Sequence, residues 1–145
     1  MDAFTFLRER VALFAEVSDE HLTGIAVGST LSSYKNGQTI MFKGATVDGL
    51  HVMAVGRAGV FIKPASQPLA LVAELVSGDV FGETSIIENG TAGALIKALE
   101  DGTFVLNIPQ DAFRVLLNES PDFVVRVRAL IASRKAPPGP GPAGS

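Results

Sequence analysis

Hydrophobic and polar positions change rhythm twice along this chain. Near the N-terminus, Phe6, Leu7, Val11, Leu13 and Phe14 recur at roughly helical spacing, and Leu22, Ile25 and Ala26 repeat the pattern. Ser18 stands between the two sets as an N-cap. Asp19 and Glu20 follow in the first turn, where a helix dipole favours acids, and Gly28 is a stop. The first thirty residues are therefore expected to be helical. From Thr30 to Ile108 short β-prone runs alternate with glycine at Gly37, Gly44, Gly49, Gly56, Gly78, Gly82, Gly90 and Gly102, which predicts about eight strands in a sandwich or β-roll. Val60–Lys63 and Leu69–Leu75 read as a hairpin across residues 64–68. Leu95–Leu99 and Thr103–Ile108 read as a second hairpin, turning at Asp101-Gly102.

Helical spacing then returns. Phe113, Leu116 and Leu117 form one stripe. Ser120-Pro121-Asp122 supplies a cap, a proline at the first helical position and an early acid, which together mark a new helix. Phe123, Val124, Val127, Leu130 and Ile131 line one side of it, and Arg126, Arg128, Arg134 and Lys135 are expected on its solvated face. Pro137-Pro138 ends it, and the tail over 137–145, PPGPGPAGS, has nothing to pack and is expected to be disordered or a linker. No internal repeat is visible. Residues 1–136 are thus expected to make one mainly β domain flanked by N-terminal helices and a C-terminal helix pair.

Composition narrows the functional classes. The 145 residues suit one domain with a proper core, and 47 % hydrophobic against 19 % charged favours a folded globule. A net charge of −3 leaves no broad basic face for nucleic acid. With no cysteine, disulfides, thiolate metal sites and thiol nucleophiles are excluded. The N-terminus has no long apolar region of the secretory kind. The longest apolar tract, Leu50 to Ile62, is interrupted by Arg57, so no membrane span and a cytoplasmic location are expected. His21 and His51 stand apart from any paired acid or second ligand, and no nucleophile triad or carboxylate pair appears, so neither a metal nor catalysis is expected.

The stretch from Ser77 to Ala98, SGDVFGETSIIENGTAGALIKA, is where chemistry concentrates. Gly78, Gly82 and Gly90 frame Glu83 and several hydroxyls, the composition of a loop that wraps a phosphate, yet no cation occurs between Lys63 and Lys97. Together with three further stretches it resembles the cyclic nucleotide-binding domain family. VALFAEVSDEHLTGIA is similar to that family's opening helix. YKNGQTIMFKGATVDGLHVMAVGRAGVFI places Gly37, Ile40, Gly44, Asp48, Leu50, Gly56 and Val60 in register with its glycine-punctuated strands. SGDVFGE matches the "GD-x-FGE" entry to its phosphate-binding cassette. The resemblance covers residues 8 to 135. It implies a jelly-roll-type β-roll, no enzymatic activity, and cAMP or cGMP as ligand.

In that family, backbone N–H groups of a short helical turn and one arginine hold the cyclic phosphate, and the FGE glutamate accepts from the ribose hydroxyl. Carried over, the resemblance implies a ligand site of Phe81, Gly82, Glu83, Thr84, Ser85, Thr91, Ala92 and Gly93. Gly82 is its close-approach glycine, Glu83 its ribose acceptor, and Thr84 to Ile87 its short turn. Glu83 also reads as a carboxylate that ties up loop N–H groups. This chain departs from the pattern at one decisive point. The arginine position holds Ala92, the preceding proline position Thr91, and the following position Gly93. Removing a charged partner from a buried phosphate costs about 2–5 kcal/mol. Three substitutes present themselves: Arg57 or Arg126 reaching the pocket, Lys97 from the next strand, or a neutral polar ligand held by Glu83, Thr84, Ser85 and Thr91. The alternative to a sensor is a protein-interaction scaffold that has lost its nucleotide, docking through Phe123, Val127, Leu130 and Ile131. With no helix-turn-helix, channel, kinase or cyclase segment in the sequence, output is expected through a protein partner or a homodimer along the last helix.

Overall fold

The computed structural model describes residues 2–47, 49–63, 65–83 and 92–135. Helix α1 (Ala3–Arg10) is capped by Asp2, whose carboxylate accepts from the Thr5 N–H at 2.7 Å. It stops at Val11, where the backbone turns extended, and a 3₁₀ turn follows over Ala12–Phe14. The expected continuous run of helical spacing is therefore broken in two. The break is held by Arg8, whose guanidinium donates to the carbonyls of Phe14 (3.2 Å) and Ala15 (2.8 Å) and to Asp19 (2.8 Å). Helix α2 (Asp19–Gly28) begins where expected, with the Ser18 hydroxyl accepting from the His21 N–H, and buries Leu22 and Ile25.

Among the described residues eight strands follow: β1 (Thr30–Tyr34), β2 (Thr39–Met41), β3 (Gly49–Val55), β4 (Ala58–Ile62), β5 (Ala70–Leu75), β6 (Val80–Phe81), β7 (Leu95–Ala98) and β8 (Thr103–Pro109). They form two antiparallel four-stranded sheets, ordered β1-β8-β3-β6 and β2-β7-β4-β5. The chain closes with α3 (Gln110–Glu119) and α4 (Pro121–Lys135). This is the expected β-roll with flanking helices.

Side-chain alternation explains the layering. On β3, Leu50 and Val52 face one way and Met53 the other; on β8, Leu106 and Ile108 oppose Val105; on β6, Val80 opposes Phe81. The first set of each pair meets the helices in a cluster with Leu7, Phe14, Leu22, Ile25, Phe113 and Phe123. The second set meets Met41, Ala58, Leu75 and Ile96 of the opposite sheet inside the roll. The central strands β3 and β8 of the first sheet are thus covered on both faces, whereas β1 is largely exposed.

The β4–β5 hairpin forms as expected, pairing Ala58 with Leu75 and Ile62 with Ala70 around a bulge. The second expected hairpin does not form. β7 pairs with β2 and β4, whereas β8 pairs with β1 and β3, so the chain crosses between sheets at Leu99–Gly102. The Asp101-Gly102 turn itself is present: Gly102 has φ +72, and Thr103 Oγ1 donates to the Glu100 carbonyl at 2.7 Å. A turn dipeptide encodes local reversal only. The strand partner is decided by burial, and β8, with Leu106 and Ile108 buried on one face and Val105 on the other, belongs in the sheet covered on both sides.

On α4, Phe123 and Val127 are fully buried and Ile131 nearly so, with Val124 and Leu130 partly covered. Phe123 stacks on Phe14 at a centroid distance of 5.8 Å and tilts against Phe113 at 6.5 Å. The stripe expected as a docking face is therefore part of the core. It joins the α1, 3₁₀, α2 and α3 residues in one cluster over the sheet. Arg126 also departs from its expected place: its Nε is buried, whereas Arg128 is exposed as expected. The side chains of Arg134 and Lys135, and the tail, lie outside the described residues. No described helix is long and apolar enough to cross a membrane.

Because Phe123 joins α4 to both the 3₁₀ turn and α3, Phe123→Ala is expected to lower unfolding free energy by about 3–5 kcal/mol. Urea denaturation followed by circular dichroism checks this; a loss under 1 kcal/mol would contradict the packing.

Candidate functional site

The SGDVFGE motif is laid out by backbone constraints that can be named residue by residue. Gly78, at φ +95, passes so close to α1 that a Cβ would lie 2.5 Å from the Arg10 carbonyl oxygen. Asp79 accepts from the Val76 N–H at 2.8 Å and closes the β5–β6 turn. The turn is pinned to β3 by two backbone bonds, Gly78 N–H to the Met53 carbonyl and Met53 N–H to the Asp79 carbonyl, each 2.8 Å. Phe81 is buried and lies opposite His51 in the β3–β6 register, where the two rings stack at 5.1 Å and 19°. Gly82 follows at φ +77. A Cβ there would stand 3.0 Å from His51 Nδ1 and from Val47 Cγ1, and 3.3 Å from the Gly49 carbonyl oxygen. Glycine is thus required by conformation and by space. Glu83 then turns inward and is only 6 % exposed.

At the far end of the cassette, Ala92 is locked by two backbone bonds to the β2–β3 loop. Its N–H donates to the Ala45 carbonyl at 2.9 Å, and its carbonyl accepts from the Gly44 N–H at 2.7 Å. Its side chain packs against the interior cluster that includes Met41, Val47, Met53 and Phe81. Gly93 is exposed with open space around its Cα. The loop from Phe42 to Val47 therefore holds both ends of the cassette, Val47 against Gly82 and Gly44-Ala45 against Ala92. Beside it lies a recess of about 200 Å³ lined by Ile40, Phe42, Ala45, Thr46, Val47 and His51.

Phe81, Gly82, Glu83 and Ala92 are thus brought together, and Gly93 stands at the rim. Thr84, Ser85, Ile86, Ile87 and Thr91 lie outside the described residues. None of the substitute cations meets Gly82 or Ala92. Arg57 is held by Glu100 and Glu74, at 2.9 Å each, and both carboxylates raise its pKa, Glu100 the more. Lys97 lies 5.9 Å over the Phe61 ring, on the face of β7 opposite the inward-facing Ile96 and Ala98. Arg126 lines a separate cleft with Val11 and Val80. Two contributors were not read from the sequence. His51 looked isolated because its neighbour Phe81 is brought by strand register, and the clasping role of Gly44-Ala45 follows from a long-range backbone pairing. Among the described residues no group of three or more His, Asp or Glu side chains is placed to hold a metal.

Residues 31–120 match the sequence profile of the cyclic nucleotide-binding domain. The chain belongs to that family. Among curated proteins, this cyclic nucleotide-binding domain is 31 % identical over 120 residues to the cGMP-dependent protein kinase isozyme 1 of Drosophila melanogaster, covering 81 % of this chain and 16 % of that protein. It is 29 % identical over 98 residues to the lysophospholipase nte1 of Neosartorya fischeri, covering 68 % of this chain and 6 % of the enzyme. The domain spans no more than about a fifth of the curated relatives it matches first. Solved structures agree on the fold. The Thermus thermophilus catabolite activator protein superposes with TM-score 0.72 at 25 % identity, covering 84 % of this chain and 57 % of that one. The regulatory domain of Toxoplasma gondii PKA with cAMP gives 0.74 at 20 %, covering 91 % and 48 %. The regulatory subunit of a cAMP-independent protein kinase A from Trypanosoma brucei gives 0.75 at 17 %, covering 89 % and 45 %.

Two glycines of the cassette should respond oppositely to a methyl group. Gly82→Ala is expected to cost about 1–3 kcal/mol of stability through its left-handed backbone and the crowding by His51 and Val47. Gly93→Ala, in open space, should stay within about 0.5 kcal/mol of the parent. Parallel chemical denaturation of the two variants measures the contrast, and equal stabilities would refute it.

Proposed function

We propose that this chain is a non-enzymatic regulatory module whose cassette keeps the frame for a cyclic nucleotide and holds it weakly because the cation is missing. The observation that carries this reading is Ala92. Its backbone is fixed to Gly44 and Ala45 at the end of the cassette and its side chain packs against the roll interior, which supports reading position 92 as a held position without its cation. Phe81, Gly82, Glu83, Thr84, Ser85, Thr91, Ala92 and Gly93 form the proposed site. Glu83, buried at the cassette entrance, is its acceptor for a sugar hydroxyl. Loss of an arginine–phosphate contact worth about 2–5 kcal/mol moves a micromolar site to roughly 30 μM to millimolar.

The competing reading is a scaffold that no longer binds nucleotide. Fold likeness leaves both open, since the same architecture serves a regulatory domain solved with cAMP and one from a cAMP-independent kinase. The lysophospholipase relative does not argue for catalysis here, because the match covers 6 % of that enzyme. In either reading the output passes to a protein partner or to a second copy that meets the outer face of α4. That face carries Val125, 63 % exposed, and Arg128, because the inner stripe is already buried.

Calorimetry with cAMP and cGMP separates the readings. Weak saturable binding by the parent, tightened at least about 30-fold in Ala92→Arg, is expected. Silence from both proteins at millimolar ligand would overturn the sensor reading and leave the scaffold.

A further inference from the structure

A second cleft, lined on one side by Gly78, Asp79 and Val80 of the SGDVFGE motif, lies between α4, the 3₁₀ turn and the β5–β6 turn. Its volume is about 330 Å³, at the lower end of small-molecule sites, and Val11, Leu13, Val80 and Leu130 make its apolar walls. Two opposite charges share it, Arg126 from α4 and Asp79 from the β5–β6 turn. They do not pair with each other: the ion pairs among the described residues are Arg8–Asp19, His21–Glu119, Arg57–Glu74, Arg57–Glu100 and Arg114–Asp111. Asp79 uses one oxygen to accept from the Val76 N–H. Arg126 is in greater need of a partner, for its Nε is buried and makes no hydrogen bond. A buried guanidinium N–H without an acceptor forfeits its hydration and recovers nothing.

We propose that this cleft binds a small zwitterion with an apolar side chain, an α-amino acid of the leucine or valine kind. A simple carboxylate would satisfy Arg126 but face the Asp79 carboxylate, and a simple amine would satisfy Asp79 but face Arg126. A molecule carrying both charges on adjacent groups answers each with its opposite, and an aliphatic side chain fits the valine and leucine walls. The occupied cleft joins α4 to the turn that leads directly into Phe81 and Gly82. An amino acid bound there biases the position of the last helix relative to the cassette, and any ligand of the cassette is coupled to it reciprocally. This site does not depend on whether the cassette holds a nucleotide.

Amide NMR titration of the full chain with L-leucine tests it. Saturable shifts are expected at residues 11–13, 78–80 and 126–130, with Kd below about 1 mM. Isovalerate, which lacks the ammonium, and isoamylamine, which lacks the carboxylate, should each bind at least about tenfold more weakly. Arg126→Met keeps the aliphatic stem and should abolish leucine binding. Asp79→Asn keeps an acceptor for Val76 and should weaken leucine while leaving isovalerate unchanged or improved. Absence of saturable shifts with leucine at 10-fold that concentration overturns the proposal, as does equal binding of isovalerate or an unaffected Arg126→Met. The comparison of the three probes on the parent protein decides the matter even if a variant does not fold.

Discussion

The two-sided burial of β3 and β8, at the centre of the β1-β8-β3-β6 sheet, is the constraint on which the rest of this molecule depends. β3 and β8 present apolar side chains to both faces, Leu50, Val52, Leu106 and Ile108 towards the helices and Met53 and Val105 into the roll. A sheet of that kind needs a cover on each side. The opposite sheet supplies one, and helices α1 to α4 with the 3₁₀ turn supply the other. This is why β8 abandons its sequence neighbour β7, and why the apolar stripe of α4 is spent on the core. It also sets the address of the cassette. β6 is the edge strand beside β3, so Phe81 meets His51, and the chain leaves the sheet at Gly82 beneath Val47 and Gly49.

Much of the motif by which the family is recognised has a structural explanation that needs no ligand. Gly78 lets the turn pass under Arg10, Asp79 caps that turn, Phe81 fills the roll, and Gly82 leaves room for His51. These residues would be required to place the cassette even in a domain that bound nothing. Position 92 carries no charge, yet its backbone is held by Gly44 and Ala45. Motif resemblance over SGDVFGE therefore reports on a backbone frame.

The cations of the chain reinforce that separation. Arg57 is committed to Glu74 and Glu100 at the edge of the second sheet, and Lys97 lies over Phe61 on the outside of the roll. Arg126 belongs to a different cleft, between the last helix and the turn that precedes the cassette. Positive charge is thus distributed around the cassette on the described elements rather than gathered in it. The Ala92 position is bordered by apolar side chains and by the backbone of Gly44-Ala45.

The amino-acid sequence by itself determined what depends on near neighbours. The Ser18 and Ser120 caps, the Asp101-Gly102 reversal, the β4–β5 hairpin and the glycine spacing through SGDVFGE were all legible, because capping, turn geometry and side-chain period act within a few residues. The break at Val11 was not, since it is held by Arg8 reaching forward to Phe14, Ala15 and Asp19. Tertiary structure alone decided that β7 and β8 part company, that His51 sits against the cassette and that Gly44-Ala45 clasps Ala92. It also turned Arg126 from a surface charge into one with a buried donor. Each of those outcomes joins elements distant in the chain. Their energies come from which faces must be buried together and which buried polar groups find partners, and no local pattern carries that information.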